Sequence, residues 1–417
     1  MSDPSSVRDR SPGTDMCTYH HLDHANDLEP SVGHTWLRDH CPVHVEHGNQ
    51  PPFYVVSRHD DALEILKQPD AWGNQDGPGV FFQKGGVLGS ADNPDHDRQR
   101  RVLRPIFLPT VIARMETRVA AVVDSMMDAF VPSGSGDFVA DYAFTMPALV
   151  IGELLGVDPE DRNNFRDWST AVVNALGGGD LGAYQAATDN IVSYIFRQVD
   201  VRAALLGRTE LGPDDDPVGN ELPDDAISHM YVAHLRGELR RSEIGRLGHQ
   251  LLVAGHETTT GLLGLMMYRF CKQPELLDQL RRDRSLLEVA VEEALRFDSP
   301  VQGLFRTNPE SVEVSGVQVP ANTKLQVLFA SANRDPDRWD EPDSFRLDRN
   351  VHDLRQHLAF GWGRHYCIGA PLARLETKLT FDRIAARMFD IELTGEPALS
   401  ESFILRGFTS LPIRWRT

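Results

Sequence analysis

The chain has 417 residues, 41% of them hydrophobic and 25% charged, which supplies ample core and lacks the bias of a disordered or fibrous protein. Its formal net charge of −19 at pH 7 argues against nucleic acid and anionic membrane surfaces as partners of the chain as a whole. It opens with neither a signal-peptide pattern nor an apolar run able to span a bilayer, and its four scattered cysteines, Cys17, Cys41, Cys271 and Cys367, suit reduced thiols in a cytoplasmic protein.

Residues 1–15 are polar and predicted to be disordered, with 16–417 ordered beyond them. Cys17 and His20 share the spacing of Cys41 and His44, with His21, His24 and His40 nearby, a set that would suit zinc. Against zinc, Pro42–Glu46 and Phe53–Ser57 alternate like a hairpin around Gly48-Asn49, which makes Cys41 a strand-edge residue. Asp60–Gln68 reads as a short amphipathic helix that buries Ala62, Leu63, Ile65 and Leu66. Trp72–Asn93 is glycine-rich, carries Phe81-Phe82 and predicts a long loop of the kind that is functional or disordered.

Asn93-Pro94 then opens a helix on which His96 and Arg100 lie one turn apart on a shared face. Two such groups can clamp a carboxylate; the arginine run around them would also make a solvated face. Val111–Gly156 is helical except at Ser133–Gly136, and Asp161–Gly207 is helical except at Gly177–Gly179. Gly212–Pro217 is a turn.

Ser242–Cys271 is the longest predicted helix, stopped by Pro274. Its middle, Leu251-Leu252-Val253-Ala254-Gly255-His256-Glu257-Thr258-Thr259-Thr260, is apolar on both sides of one acid and three threonines. A helix hydrophobic all round is buried, and a buried acid beside a hydroxyl is costly unless it is used. Gly255 weakens the helix, and Thr258 can bond back to a preceding carbonyl and open a groove; a kink satisfied internally is the structural alternative. Glu293 and Arg296 lie three apart on a further helix and can pair. Strands follow at Leu304–Thr307, Val312–Val314, Gln318-Val319 and Leu325–Leu328, and Leu405–Pro412 forms a strand turn.

The chain is organised around Phe360-Gly361-Trp362-Gly363-Arg364-His365-Tyr366-Cys367-Ile368-Gly369. This loop sets one cysteine just before a helix that carries Pro371 in its first turn. A sulfur so placed lies near backbone N–H groups and the positive end of the helix dipole, which favours its thiolate. The glycines let the backbone turn tightly and approach something flat and bulky.

That decapeptide, with its phenylalanine, glycines, histidine and cysteine, resembles the haem-binding loop of the cytochrome P450 family, the haem-thiolate monooxygenases. The resemblance covers nearly all of the chain and implies a single α-rich α+β domain over 16–417, with small antiparallel sheets and haem b between the long helix and the cysteine-loop helix. It implies Cys367 as axial thiolate, Phe360, Gly361, His365 and Gly369 around the cofactor, and His96, Arg100, His365 and Arg306 as propionate contacts. Arg98, Arg101 and Arg104 would then face a redox partner, and Arg364 and Arg374, which flank the cysteine loop, would steer an acidic ferredoxin.

The centre of the long helix resembles the family's oxygen-binding motif. Ala254 and Gly255 would lie against the cofactor, and Glu257 and Thr258 match the acid–alcohol pair that holds water and delivers protons. Glu293 and Arg296 match a bracing Glu-x-x-Arg motif, with Arg338 or Arg346 as third member. Trp72–Asn93 would roof the pocket, with Phe81, Phe82, Leu304, Phe305 and Phe408 suggesting a fatty acid, terpenoid or steroid.

The activity implied is insertion of one atom of dioxygen into a hydrophobic small molecule by a cytoplasmic monomer. Electrons come from NAD(P)H through a ferredoxin and ferredoxin reductase, because no flavin or nicotinamide domain fits in the chain. A peroxide-driven peroxygenase and a non-enzymatic haem-thiolate sensor or carrier are the alternatives, and neither needs the Glu257-Thr258 pair.

Overall fold

The computed structural model describes residues 28–29, 32–47, 52–161, 164, 167–168, 171–172, 181–212, 214–400 and 402–417. The polar N-terminus, the Cys17–His24 set, the Gly48-Asn49 turn and Gly177–Gly179 lie outside these residues. The longer helices are α1 (Val32–His40), α2 (His59–Lys67), α3 (Asp95–Leu103), α4 (Pro109–Phe130), α5 (Thr145–Leu155), α6 (Leu181–Leu206), α7 (Ala226–Leu235), α8 (Arg241–Lys272), α9 (Pro274–Arg282), α10 (Leu287–Asp298) and α11 (Ala370–Arg387). The strands run β1 (Val43–Glu46), β2 (Phe53–Val56), β3 (Ser135–Asp137), β4 (Leu304–Thr307), β5 (Val312–Val314), β6 (Val317–Val319), β7 (Lys324–Val327), β8 (Phe389–Leu393), β9 (Ala398–Leu399), β10 (Phe408–Ser410) and β11 (Pro412–Arg416).

One large apolar core fills the helical body, from Val87 through α4, α5, α6, α8 and α10 to Trp415. Helix α8 crosses its centre. Every residue from Thr259 to Phe270 is buried, as an all-round apolar sequence requires. Among the described residues, no helix is long and apolar enough to cross a membrane.

The sheets are small and peripheral, and their pairings are antiparallel with one exception. In the four-stranded sheet β1-β2-β7-β4, β2 runs parallel to β7, with Val56 opposite Val327. A parallel pair needs a crossover, and here almost the whole helical body lies between the two strands. The break at Ser133–Gly136 is more than a loop, because Ser135–Asp137 pairs with β11.

Two polar devices tie the periphery to α8 and to the sheet. Glu243, in the first turn of α8, is fully buried; it accepts from Arg98 and Gln99 of α3 at 2.7 and 2.8 Å and from the Arg240 backbone N–H at 2.7 Å. Arg98 therefore does not face outward as expected, because a buried carboxylate needs cationic partners. Lys324, on β7, donates to the backbone carbonyls of Asp76 and Gly77 at 2.8 and 2.7 Å and so pins the glycine-rich loop.

The bracing pair is present and buried. Arg296 donates from Nε and Nη2 to Glu293 at 2.7 and 2.8 Å, and from Nη1 to the carbonyls of Asn333 and Pro342. The third member is Arg349, whose Nε lies 3.1 Å from Glu293 Oε1. Arg346 contributes only its backbone N–H, at 3.0 Å, while Arg338 turns to Gln356. Breaking a buried pair of this kind costs about 3–5 kcal/mol.

Candidate active site

The cysteine loop owes its shape to two glycines. Gly361 and Gly363 have φ of +67° and +69°, where a side chain is strained, and a Cβ on Gly363 would come 3.0 Å from the Leu66 carbonyl oxygen. The loop closes through the Cys367 N–H, which donates to Phe360 O at 2.9 Å. Helix α11 then begins with Pro371 in its first turn. The Cys367 sulfur lies deep in the protein, yet its side chain is accessible, so it looks into an interior cleft. Burial pushes its thiol pKa up, against the Gly369 and Ala370 amides, Arg100 and Arg374, each of which favours the thiolate.

Around His365 the structure gathers a basic cluster. Its ring lies tilted against that of His96, with centroids 4.1 Å apart and planes inclined at 48°. Both ring nitrogens are buried and have no hydrogen-bond partner among the described residues. Its pKa is driven to about 2 by burial, and then by His96, Arg306, Arg100 and Arg364 around it. Arg306 is itself buried, donates to Phe305 O at 2.9 Å, and is pushed down to about 10 by burial, with Asp92 as the one opposing charge. Arg100 Nη2 donates to Tyr366 O at 2.8 Å.

Sequence reasoning missed Asp92. It accepts from the backbone N–H groups of Asn74 and Gln75 at 2.9–3.0 Å and stands 3.8 Å from His365 Nε2. Nothing in its local sequence marks it, because its role comes from where the glycine-rich loop folds back.

The other wall is α8. Ala254 is exposed and Val253, Glu257 and Thr258 are partly so, while Leu251, Leu252, His256 and Thr259 are buried. That is one uncovered stripe at helical spacing on an otherwise buried helix, and α11 packs against the same helix. Gly255 is needed for close approach, since a Cβ there would lie 3.1 Å from Ile151 of α5. Behind the stripe, His256 Nε2 donates to Phe144 O at 2.6 Å and Thr260 to Ala143 O at 3.1 Å, which fixes the helix from its far side. On the cleft side the Thr258 hydroxyl donates to Ala254 O at 2.8 Å. Glu257 has its pKa raised to about 7, with burial the sole cause.

The expected pocket aromatics are not where the sequence suggested. Phe81 and Phe82 are 67% and 50% exposed, with Lys324 Nζ 5.2 Å from the Phe82 ring centroid. Phe305 is sealed against Phe53 and Phe403 in the sheet core, and Phe408 against Tyr268 and Gly264. Only Leu304 is partly uncovered. Strand alternation sends neighbouring residues to opposite faces, so Leu304 and Phe305 could not share one pocket.

A family model described as "Cytochrome P450" matches residues 208–406. The chain is 33% identical over 405 residues to cytochrome P450 monooxygenase PikC of Streptomyces venezuelae, covering 93% of this chain and 91% of that one. The chain belongs to the cytochrome P450 family. It is also 34% identical over 329 residues to vitamin D(3) 25-hydroxylase of Pseudonocardia autotrophica, covering 77% and 76% of the two chains. Among solved structures it resembles cytochrome P450 CYP109Q5 from Chondromyces apiculatus, with a TM-score of 0.80 at 31% identity over 92% of this chain and 94% of that one.

Cytochromes P450 are haem-thiolate oxidoreductases, and the residues here fit that cofactor. An accessible sulfur at a helix N-terminus offers a soft donor. The Arg306, Arg100, His96 and His365 cluster has more donors than carboxylates to receive them, as a site for two propionates would.

Proposed function

We propose that this cytochrome P450 binds haem b through Cys367 and inserts one atom of dioxygen into an apolar small molecule of fatty acid, terpenoid or steroid type. The second atom leaves as water, with two electrons and two protons supplied. The observation that carries this reading is the stripe on α8. Glu257 and Thr258 stand in the cleft with a carboxyl poised near neutrality and a hydroxyl already oriented by Ala254. A haem sensor, or an enzyme supplied with peroxide, needs neither.

The bound haem would supply oxygen activation; the chain supplies placement and protons. Cys367 anchors the cofactor from the α11 side. His96, Arg100, Arg306 and His365 receive its carboxylates. Glu257 gives up a proton at its carboxyl oxygen. Thr258, whose own proton is committed to Ala254, keeps oxygen lone pairs free to accept the next hydrogen bond. Product formation with NAD(P)H, a ferredoxin and its reductase, compared with peroxide alone, tests the proposal. Turnover as good with peroxide alone would favour the peroxygenase, and none with either source the sensor. The names of two relatives, vitamin D(3) 25-hydroxylase and the steroid C26-monooxygenase of Mycobacterium tuberculosis, support a hydrophobic substrate, in place of the aromatics that proved buried or exposed.

Arg306→Ala and Arg100→Ala are each expected to weaken haem retention while the remaining holoprotein keeps its thiolate spectrum. Losing a charge-assisted partner costs about 1.5–3 kcal/mol, or roughly ten- to a hundredfold in affinity. Haem transfer to an acceptor protein measures it, and transfer as slow as in wild type would remove the propionate role.

Electron delivery by an acidic ferredoxin is expected to use Arg101 and Arg104. Both are exposed, and Arg104 is close enough to Arg100 to lower its pKa. Arg364 and Arg374, although they flank the cysteine loop, are held by Asp70 and Glu292. Reduction should slow as salt rises, and slow further in Arg104→Glu. A salt-independent rate in stopped-flow would point to another docking face.

A further inference from the structure

Behind the cysteine loop lies a buried charged network that the mechanism above does not use. Glu292, on α10, is 1% exposed and receives the Arg374 guanidinium from α11 in bidentate fashion, Nε to Oε1 at 2.5 Å and Nη2 to Oε2 at 2.9 Å. The same carboxylate lies 3.1 Å from His357 Nε2. The Ala359 N–H donates to His357 Nδ1 at 3.2 Å. Nδ1 is therefore the acceptor, and Nε2 carries the proton that goes to Glu292.

Arg374 also donates from Nη1 to the Tyr366 hydroxyl at 3.2 Å and stacks over the Phe360 ring at 4.7 Å. One carboxylate thus holds both ends of the loop. Through His357 it fixes Ala359 and the entry, and through Arg374 it fixes Tyr366, immediately before Cys367.

The network also sets a charge. Burial pushes the Glu292 pKa up, but His357 and then Arg374 more than offset this and hold it at about 2, so it is ionised. Arg374 is one of two guanidinium groups that favour the Cys367 thiolate, the other being Arg100. Arg374 thus favours the thiolate while its guanidinium is bound by the Glu292 carboxylate. The cation's field at the sulfur is then partly cancelled by the carboxylate that orients it.

We infer that Glu292 is a positioning residue that fixes the Cys367 loop and, by partly neutralising Arg374, sets the reduction potential of the haem bound there. This rests on the reading of Cys367 as the thiolate ligand. Reduction of the ferric centre adds one negative charge, so a nearby cation favours the reduced form and a nearby anion opposes it. The two halves of the ion pair must then act with opposite signs.

Spectroelectrochemical titration of the holoprotein tests this. Glu292→Gln frees the Arg374 field and should shift the midpoint potential upward, whereas Arg374→Gln should shift it downward. Glu292→Asp and Arg374→Lys, which keep their charges, should stay close to wild type. A network that merely braces the loop would move both neutral variants in the same direction, or neither, and that result overturns the inference. Where Glu292→Gln fails to load haem, Arg374→Gln against Arg374→Lys decides: a downward shift in the first alone supports it, and any other pattern refutes it. The carbon monoxide spectrum of each protein keeps the two levels apart. Its thiolate band absent from wild type overturns the ligand reading, and the band present with no opposed shifts overturns only this inference.

Discussion

Reduced Cys367→Ser protein under carbon monoxide is expected to lack the strongly red-shifted Soret band that wild type shows. The cause is donor strength. A thiolate pushes electron density toward the metal in a way that a serine oxygen does not, and every feature around Cys367 serves to keep sulfur in that form. The Gly369 and Ala370 amides point at it, and Arg100 and Arg374 supply positive potential. The accessible face of the side chain opens into the cleft, so the substitution should be tolerated sterically and haem still taken up through the His96–Arg306 cluster. Product formation should fall to background. An unchanged band in the serine protein would remove Cys367 from the site and, with it, the reading of the whole loop.

Thr258→Ala is expected to part the consumption of NAD(P)H from the formation of product. With the hydroxyl gone, the groove at Ala254 loses its oriented acceptor, but nothing else that binds dioxygen or substrate changes. Electrons should still be drawn, hydrogen peroxide should accumulate, and hydroxylated product should drop. Glu257→Gln should act differently, slowing overall turnover on the order of 10²-fold as general acid–base contributions do.

The pH dependence separates the two variants. Burial raises the Glu257 carboxyl from 4.5 to about 7, so it is a proton donor below neutrality and a carboxylate above. Wild-type product formation should fall as pH rises through about 7, Thr258→Ala should keep that inflection, and Glu257→Gln should lose it. The stability sign is opposite to that of a salt-bridged acid. A raised carboxyl carries no penalty below its ordinary value and an increasing one as pH climbs toward 7, so Glu257→Gln should gain thermal stability relative to wild type on the alkaline side. Full coupling in Thr258→Ala, measured as product and peroxide per NAD(P)H, would leave that threonine a purely helical role.

Much of this site was legible in the sequence because its chemistry demands residue types at fixed short spacings. Cys367 with its glycines, Glu257 beside Thr258, and Glu293 three residues before Arg296 are all local patterns. What could not be read are roles created by distance along the chain. Asp92 matters because a loop returns it to His365, Glu292 because α11 brings Arg374 to it, and Arg349 because the chain after α10 wraps back onto Glu293. The break at Ser133–Gly136 reads as a turn from its glycines and serines, and it is the distant C-terminal β11 that makes it a strand. Phe81 and Phe82 were misread for the opposite reason. Apolar residues in a loop look destined for burial, yet Lys324 secures the loop by its backbone and leaves the rings outside.

The parallel pairing of β2 with β7 has a consequence for how the molecule is made. Val56 leaves the ribosome some 270 residues before its partner Val327, an interval of roughly 15–50 s at about 5–20 residues per second. Throughout it the β2 edge of the β1–β2 pair has nothing to close it, while α4, α5 and α8 emerge and can already pack with one another. Strand β3 waits longer still, for β11 near the C-terminus. Both sheets can be completed only late, on a helical body that has had time to assemble, and the nascent chain carries unpaired strand edges, the usual invitation to aggregation, for most of its synthesis.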